Sequence, residues 1–343
     1  MSRLLSVVVL AIASSVMAAS CGGSGSSASV VDLHGAGASF PAPLYDRWFK
    51  SYVVAHPNVR VDYQSNGSGA GVTQFTNKTI DFGASDAAMT DEEIAKVDRG
   101  VQLLPMTAGS VVLAYNLPDL KAPLRLSRNA YAGIFLGKIT KWDDPAIAAS
   151  NPGVKLPASN ITVVHRADSS GTTFVFTQHL SAISPEWNEG PGTSKAPNWP
   201  AGVGAKGNEG VTSTIKQTAG AIGYVEFGYA KQTGLPMAQL QNKAGAYVEA
   251  TTASSQAALA GATLPENLRL FLPDPEGAGS YPIVTYTWLL LYRQYPNAET
   301  TSAIKDIVKY CLADGQTQSE SLGYVPLPSN VVAADLKALD NIK

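Results

Sequence analysis

Between residues 165 and 173 the chain reads His-Arg-Ala-Asp-Ser-Ser-Gly-Thr-Thr. These residue types could hold an oxyanion. Arg166 brings a guanidinium, Ser170 and Thr172 bring hydroxyls, and a turn that opens a helix at Gly171 leaves backbone N–H groups unpaired. Asp168 lies two residues from Arg166, so in an extended segment both side chains point the same way. There the carboxylate could hold the guanidinium in place. An ordinary β-turn with a capped helix and a surface ion pair would use the same residues, so this stretch by itself leaves both readings open. Arg166 is read here as an exposed residue of the cup.

The flanking elements decide what such a turn can do. The apolar run 161–164 reads as a buried strand before it, and Phe174-Val175-Phe176 continues an apolar segment after it. The same strand–turn–helix order occurs twice earlier. A strand over 30–33 leads through Gly35-Ala36-Gly37-Ala38-Ser39-Phe40 into a helix with Leu44, Trp48 and Tyr52 on one face and Tyr45, Phe49 and Val53 beside them. Pro41 and Pro43 fit the first turn of that helix, and Ser39 is the expected N-cap. A strand over 59–63 leads through Asn66-Gly67-Ser68-Gly69-Ala70-Gly71 into a short helix carrying Val72 and Phe75. A strand over 80–85 ends at Asp86, and Thr90 with Glu93 forms a capping box.

Further on, 103–106 and 111–115 read as two strands, 131–136 as a helix, and Trp142-Asp143-Asp144-Pro145 as the start of another. Residues 185–210 read as a long surface excursion. A strand over 221–225, helices over 226–230 and 250–262, a strand over 283–292 and a helix over 303–312 complete the chain. Cys311 is expected to be buried in that last helix. The alternation implies an α/β fold with a largely parallel sheet. Ligands of such sheets sit beyond the carboxyl ends of the strands. Ser39, Ser68, Asp86 and the 165–173 turn all fall there.

Asp86 among donors needs a reason, because carboxylates repel anions. An ionised carboxylate can only accept a hydrogen bond. Monohydrogen or dihydrogen phosphate presents an O–H to it. Sulfate presents none near neutral pH and would face Asp86 lone pair to lone pair, at a cost on the order of several kcal/mol in a desolvated site. The arrangement therefore admits phosphate and excludes sulfate. The competing reading of Asp86 is an N-cap for the helix near Thr90.

Composition sets limits. The 343 residues suggest two domains, and 45% hydrophobic against 15% charged residues implies an ample core. A formal charge of −2 offers no field for nucleic acid or an anionic membrane. Residues 1–20 read as a signal peptide, with Arg3 ahead of an apolar stretch over 4–12. Ala18-Ala19-Ser20-Cys21 resembles a lipobox, in which Cys21 would be acylated; ordinary cleavage after Ala18 or Ala19 is the alternative. Residues 21–30, rich in Gly and Ser, read as a flexible tether. No transmembrane helix is expected in the mature chain.

Other chemistries find no motif. Gly202-Val203-Gly204-Ala205-Lys206-Gly207 matches a dinucleotide string, but no strand is read before it, so it is rejected. No glycine loop closes on Lys-Ser or Lys-Thr. His34, His56, His165 and His179 show no metal spacing, and no serine sits in a nucleophile-elbow motif. No metal and no cofactor is expected.

Six segments carry a family resemblance. They are residues 35–43, 67–71, 81–86, 136–144, 165–174 and 220–226. In order and from about residue 32 to about 330, the chain resembles the periplasmic phosphate-binding protein of ABC-type high-affinity phosphate uptake systems. The resemblance implies a two-lobed periplasmic-binding-protein fold of type II, with phosphate in the interlobe cleft. It implies a first lobe built from 31–106 plus 281–343 and a second from 107–280. It places ligand contacts on Ser39, the Phe40 amide, Ser68, Asp86, Arg166, Ser170, Gly171 and Thr172, with Asp168 pairing Arg166. Gly69 stands where some members carry serine, and Ser169 where glycine is frequent. The implied function is capture of inorganic phosphate in the periplasm or at the cell surface and delivery to an inner-membrane ABC permease with a separate ATPase. The carrier would be a monomer held to the membrane only by its lipid. The alternative is a secreted enzyme acting on phosphorylated substrates.

Overall fold

A computed structural model describes residues 30–343. The signal segment over 1–20, the Cys21 lipidation site and the tether as far as residue 29 lie outside the described residues. In chain order the first elements are β1 (Val31–Gly37), α1 (Ala42–Ala55), β2 (Val59–Ser65), α2 (Ser68–Thr76), β3 (Phe82–Ser85), α3 (Asp91–Ile94) and β4 (Val101–Tyr115). Then come β5 (Arg125–Leu126), α4 (Arg128–Phe135), α5 (Pro145–Ala148), β6 (Thr162–Arg166), α6 (Gly171–Ile183), α7 (Pro185–Glu189), β7 (Val203–Ala205), α8 (Gly207–Gln217), β8 (Ala221–Glu226) and α9 (Phe227–Thr233). The chain ends with β9 (Gln239–Gln241), β10 (Tyr247–Val248), α10 (Thr252–Ala260), β11 (Val284–Tyr292), α11 (Ala298–Leu312), α12 (Ser319–Leu322) and α13 (Ser329–Leu339).

The main sheet has strand order β2-β1-β3-β11-β4-β8-β6-β7. It is mixed rather than largely parallel. The outer strands pair parallel, β1 with β2 and β3, and β6 with β7 and β8, as strand–helix–strand crossovers require. The two central strands run antiparallel to their neighbours. The fold is the two-lobed α/β arrangement that the resemblance implies.

β4 is one strand where the hydropathy pattern suggests two. Its residues from Val101 to Ser110 pair with β11, and those from Val111 to Tyr115 pair with β8. The chain thereby passes from one half of the sheet to the other without leaving extended backbone. Small residues at 107–110 made the sequence look interrupted, yet each is placed by a specific contact. Thr107 donates to the Val325 carbonyl at 3.0 Å, and Ala108 exchanges backbone hydrogen bonds with Val325. The Ser110 and Ser255 hydroxyls lie 2.6 Å apart. A Cβ on Gly109 would stand 2.9 Å from the Phe40 ring. Pro105, which has no N–H to give the ladder, lies opposite Trp288 beside the register shift at Thr287–Trp288.

The aromatic face expected of α1 is buried: Leu44, Tyr45, Trp48, Phe49 and Tyr52 all pack inward. Burying each such side chain contributes about 1.5–3 kcal/mol. Trp48 also donates its indole N–H to the Gly315 carbonyl at 2.6 Å, tying the two ends of the chain into one half of the molecule. Cys311 is buried in α11. The excursion over 185–210 is more structured than its Pro and Gly content suggests. Ser184 caps α7, Trp187 is fully buried, and β7 adds an edge strand beside β6.

Candidate functional site

The turns singled out by sequence converge where the two halves of the sheet meet. Ser39, Phe40, Ser68, Asp86, Arg166, Ser170 and Thr172 are each at most 3% exposed. Arg166 is therefore a buried residue and not the exposed one expected. The reason is that its guanidinium is enclosed by Asp168 and the Thr172 hydroxyl, with the Tyr224 hydroxyl against its backbone N–H at 3.0 Å.

The β1 turn does not cap its helix with Ser39. The Ala42 N–H turns back to the Ser39 carbonyl at 3.2 Å, and Pro41 occupies the cap position without a side-chain hydrogen bond. This leaves the Ser39 hydroxyl oxygen for another partner: it accepts from the backbone N–H of Asn208 at 3.1 Å and from its amide at 3.0 Å. Phe40 sends its ring into the core, edge-on to Tyr324 at 6.2 Å, while its carbonyl accepts from the Tyr324 hydroxyl at 2.7 Å.

Ser68 begins α2 after Gly67, whose φ of 98° belongs to the region that glycine tolerates. Its hydroxyl oxygen accepts from the Asp86 N–H at 3.3 Å. One residue on, the Gly69 N–H reaches across to the Ser169 carbonyl at 2.9 Å. Gly69 takes part through its backbone, and a Cβ there would stand 2.2 Å from the Ser169 hydroxyl.

Asp86 follows β3 and caps no helix; Thr90 and Glu93 form the expected capping box instead. One Asp86 oxygen accepts from Thr287 at 2.8 Å and the other from Thr172 at 3.2 Å. Burial pushes its carboxyl up to about 6, against the opposing pull of the Thr287 hydroxyl, the Arg166 charge and the Thr172 hydroxyl.

On the other side Arg166 and Asp168 form a two-pronged pair, Nε to Oδ1 at 2.7 Å and Nη2 to Oδ2 at 2.5 Å. Burial pushes the Asp168 carboxyl up. The Arg166 hydrogen bonds and charge, with the Gly207 N–H at 3.0 Å, pull harder and leave it below its ordinary value. Ser170 is the N-cap of α6, its oxygen accepting from the Thr173 N–H at 3.0 Å, and its own N–H is held by the Lys195 carbonyl at 2.9 Å. The cap and the cup are thus the same residue, because capping uses the oxygen and leaves the O–H to donate. A Cβ on Gly171 would stand 2.4 Å from the Ser68 hydroxyl and 2.8 Å from Asp86. Only glycine lets the first turn of α6 come this close to the opposite half.

Sequence reasoning missed Thr287, Gly207, Asn208 and Glu226. Thr287 lies within a long apolar strand and carries no local signal. Gly207 closes the glycine string 202–207, and Asn208 follows it. That string was rejected for want of a preceding strand, but residues 203–205 are themselves the strand β7, and α8 begins at Gly207 with φ 71°. Glu226 caps α9 through Gly228 at 2.8 Å and Tyr229 at 3.3 Å, and burial raises its carboxyl well above the ordinary range.

The site therefore gathers a fixed guanidinium, hydroxyls from both halves and the N-terminus of the 13-residue α6 around the buried Asp86 carboxylate. Donors in that number suit an anion, and the carboxylate suits an anion that carries a proton. Among the described residues no group of three or more His, Cys, Asp or Glu is arranged to hold a metal ion.

Residues 22–314 match the family described as the PBP superfamily domain. The chain is similar to the phosphate-binding protein PstS of Xylella fastidiosa, 42% identical over 88% of this chain and 83% of that one. It is 45% identical to the phosphate-binding protein PstS of Pasteurella multocida, over 88% and 87%. In fold it is similar to a high-affinity periplasmic phosphate-binding protein solved with phosphate, at TM-score 0.74 and 22% identity over 88% of this chain and 92% of that one. It is also similar to a putative phosphate ABC transporter substrate-binding protein with bound phosphate from Clostridium perfringens, at TM-score 0.65 and 16% identity over 87% and 100%.

Proposed function

The chain belongs to the phosphate-binding proteins of the PBP superfamily, and we propose that it captures inorganic phosphate and delivers it to an ABC-type phosphate permease. The observation that carries this reading is Asp86: a carboxylate, buried, facing Thr172 and Arg166 from the opposite half of the sheet. Phosphate is a common tetrahedral oxyanion that is both negative and a hydrogen-bond donor near neutral pH, which sulfate is not. Ser39, the Phe40 amide, Ser68, Asp86, Arg166, Ser170, Gly171 and Thr172 form the proposed contact set, with Asp168 steadying Arg166.

The proposed lobes are 31–106 with 281–343, and 107–280. The passage of β4 between sheet partners at Ser110–Val111 supports this division. The chain acts as a carrier rather than as an enzyme on phosphorylated substrates. In support, the two histidines nearest in sequence are engaged elsewhere. His165 stacks on Trp199, and His179 lies between the Tyr131 hydroxyl and the Pro273 carbonyl. No helix among the described residues is long and apolar enough to cross a membrane. The carrier works outside the inner membrane as a monomer, held there by lipid on Cys21, and its permease partner is driven by a separate ATPase.

Isothermal titration with phosphate and sulfate tests this. Charge-assisted hydrogen bonds contribute roughly 1.5–3 kcal/mol each, offset in part by dehydration of the anion. Micromolar or tighter phosphate binding, about −8 kcal/mol or better, is expected. Equal affinity for the two ions would remove the role given to Asp86.

A further inference from the structure

Asn208 belongs to no motif and carries no charge, yet it touches both sides of the site. It is fully buried at the second position of α8. Its backbone N–H donates to the Ser39 oxygen at 3.1 Å, and its side-chain amide donates to the Ser39 oxygen at 3.0 Å and to the Thr172 oxygen at 3.3 Å. The direction of these bonds is fixed by a third element. Asn208 Oδ1 accepts from the backbone N–H of Glu226 at 2.9 Å. A flipped amide would set its NH2 group against that N–H, so the NH2 must face the hydroxyls. The Glu226 N–H is in turn placed by the pairing of β8 with β4 opposite Val111.

The consequence lies in the hydroxyl protons. A hydroxyl has one donor and two acceptor sites. Both acceptor sites of Ser39 are taken by Asn208, so its O–H remains only as a donor. Thr172 accepts from Asn208 and from Arg166 Nη1 at 3.4 Å, and its O–H donates to Asp86 at 3.2 Å. One buried amide thereby turns a hydroxyl from each half of the sheet into a committed donor. We propose that Asn208 is a positioning residue for anion capture: it sets the proton polarity of Ser39 and Thr172, so that the Ser39 O–H is offered to a bound oxyanion while the Thr172 O–H is held on Asp86.

This inference rests on the reading of the cluster as a phosphate site. Asn208→Ala removes the side-chain bonds but keeps the backbone one, and weakens phosphate binding about tenfold. Asn208→Asp sets an acceptor where the NH2 was, which turns both O–H groups inward and adds a charge one hydroxyl away from Asp86; the loss is about a hundredfold or more near neutral pH. Relative to the parent protein at each pH, the loss in N208D shrinks as the pH is lowered to about 5, because burial and the facing Asp86 and Glu226 carboxyls raise the introduced carboxyl against the opposing charge of Arg166, so that it takes up a proton and can donate again. The loss in N208A stays level. A purely structural role would give the two variants the same profile.

Titration calorimetry with inorganic phosphate from about pH 8 to pH 5, with melting curves as a fold control, reads these outcomes. Parallel pH profiles, or an N208A affinity within about twofold of the parent, would overturn the proposal. Should N208D fail to fold, the cycle of S39A and N208A decides. Affinity losses smaller in combination than their product support the coupling, and losses that simply multiply refute it. Failure of the parent protein to bind phosphate would instead refute the functional reading itself.

Discussion

Thr172 and Asp86 meet across the line between the two halves of the sheet, the hydroxyl donating to the carboxylate at 3.2 Å. Thr172 stands at the start of α6 beyond β6, and Asp86 at the end of β3. The residue proposed to set selectivity and a residue proposed to bind the anion thus belong to opposite halves. Asp86→Asn keeps the shape and gives the site an amide that can donate as well as accept. Sulfate binding is expected to appear in D86N, by titration calorimetry, with phosphate binding retained in weaker form. Unchanged exclusion of sulfate would count against the carboxylate.

The same carboxyl makes a prediction about pH. Its value in the folded protein is raised to about 6, from an ordinary 3.8. Between those values the folded state holds a proton that the unfolded state has released, so this group lowers stability as the pH rises through the window. The whole effect is about 3 kcal/mol. Asp168 runs the other way, since its lowered value gives stability that is lost on acidification. Urea unfolding of the parent and D86N at several values from about pH 4 to 7 isolates the Asp86 part as a difference. The difference should grow toward pH 6 and then level.

Arg166→Ala is expected to remove phosphate binding and also to destabilise the fold. The guanidinium is buried, and the Asp168 side chain is only 12% exposed, so the substitution strands a carboxylate. Breaking such a pair costs about 3 kcal/mol or more. The double variant R166A/D168N should recover much of the lost melting temperature without recovering binding. Full stability in R166A alone would contradict the burial of this pair.

Gly171→Ala tests how closely the halves approach. The added methyl carbon would meet the Ser68 hydroxyl at 2.4 Å and the Asp86 Cβ at 2.8 Å. The clash lies between the halves, so each can keep its own packing while they stay apart. Phosphate affinity is expected to fall about tenfold or more. The melting temperature without phosphate should change little, and a scan with and without saturating phosphate reads both effects.

A rim contact should tune release. Lys195 Nζ lies 3.1 Å from a Glu93 oxygen, while the other Glu93 oxygen accepts from the Thr90 N–H in the capping box. The Lys195 carbonyl holds the Ser170 N–H, so this residue joins the rim to the proposed anion cup. Glu93→Gln keeps an acceptor for the cap and removes the charge. Partly exposed pairs contribute about 0.5–1 kcal/mol, so E93Q should dissociate phosphate about two- to fivefold faster by stopped flow, without change in selectivity. High salt should shrink the difference.

The local grammar of the chain was legible in the sequence. Glycine and serine turns between apolar strands and amphipathic helices located Ser39, Ser68, Asp86 and the 165–173 stretch, because backbone geometry and hydrophobic period act over only a few residues. The charge logic of Asp86 was legible too, since it depends only on which groups donate and which accept. Pairings between distant segments were decided by the tertiary structure alone. β4 is continuous because Val325, Ser255 and Phe40 pack against its small residues, and nothing near 107–110 in sequence announces them. Ser39 surrendered its cap role because Asn208, 169 residues later, takes up its hydroxyl. Arg166 is buried because Asp168, Thr172 and the distant Tyr224 close around it, and Thr287 reaches Asp86 only because β11 returns to lie beside β3. Sequence determines which groups can bond; long-range packing determines which of them meet, and with it the direction in which each hydroxyl points its proton.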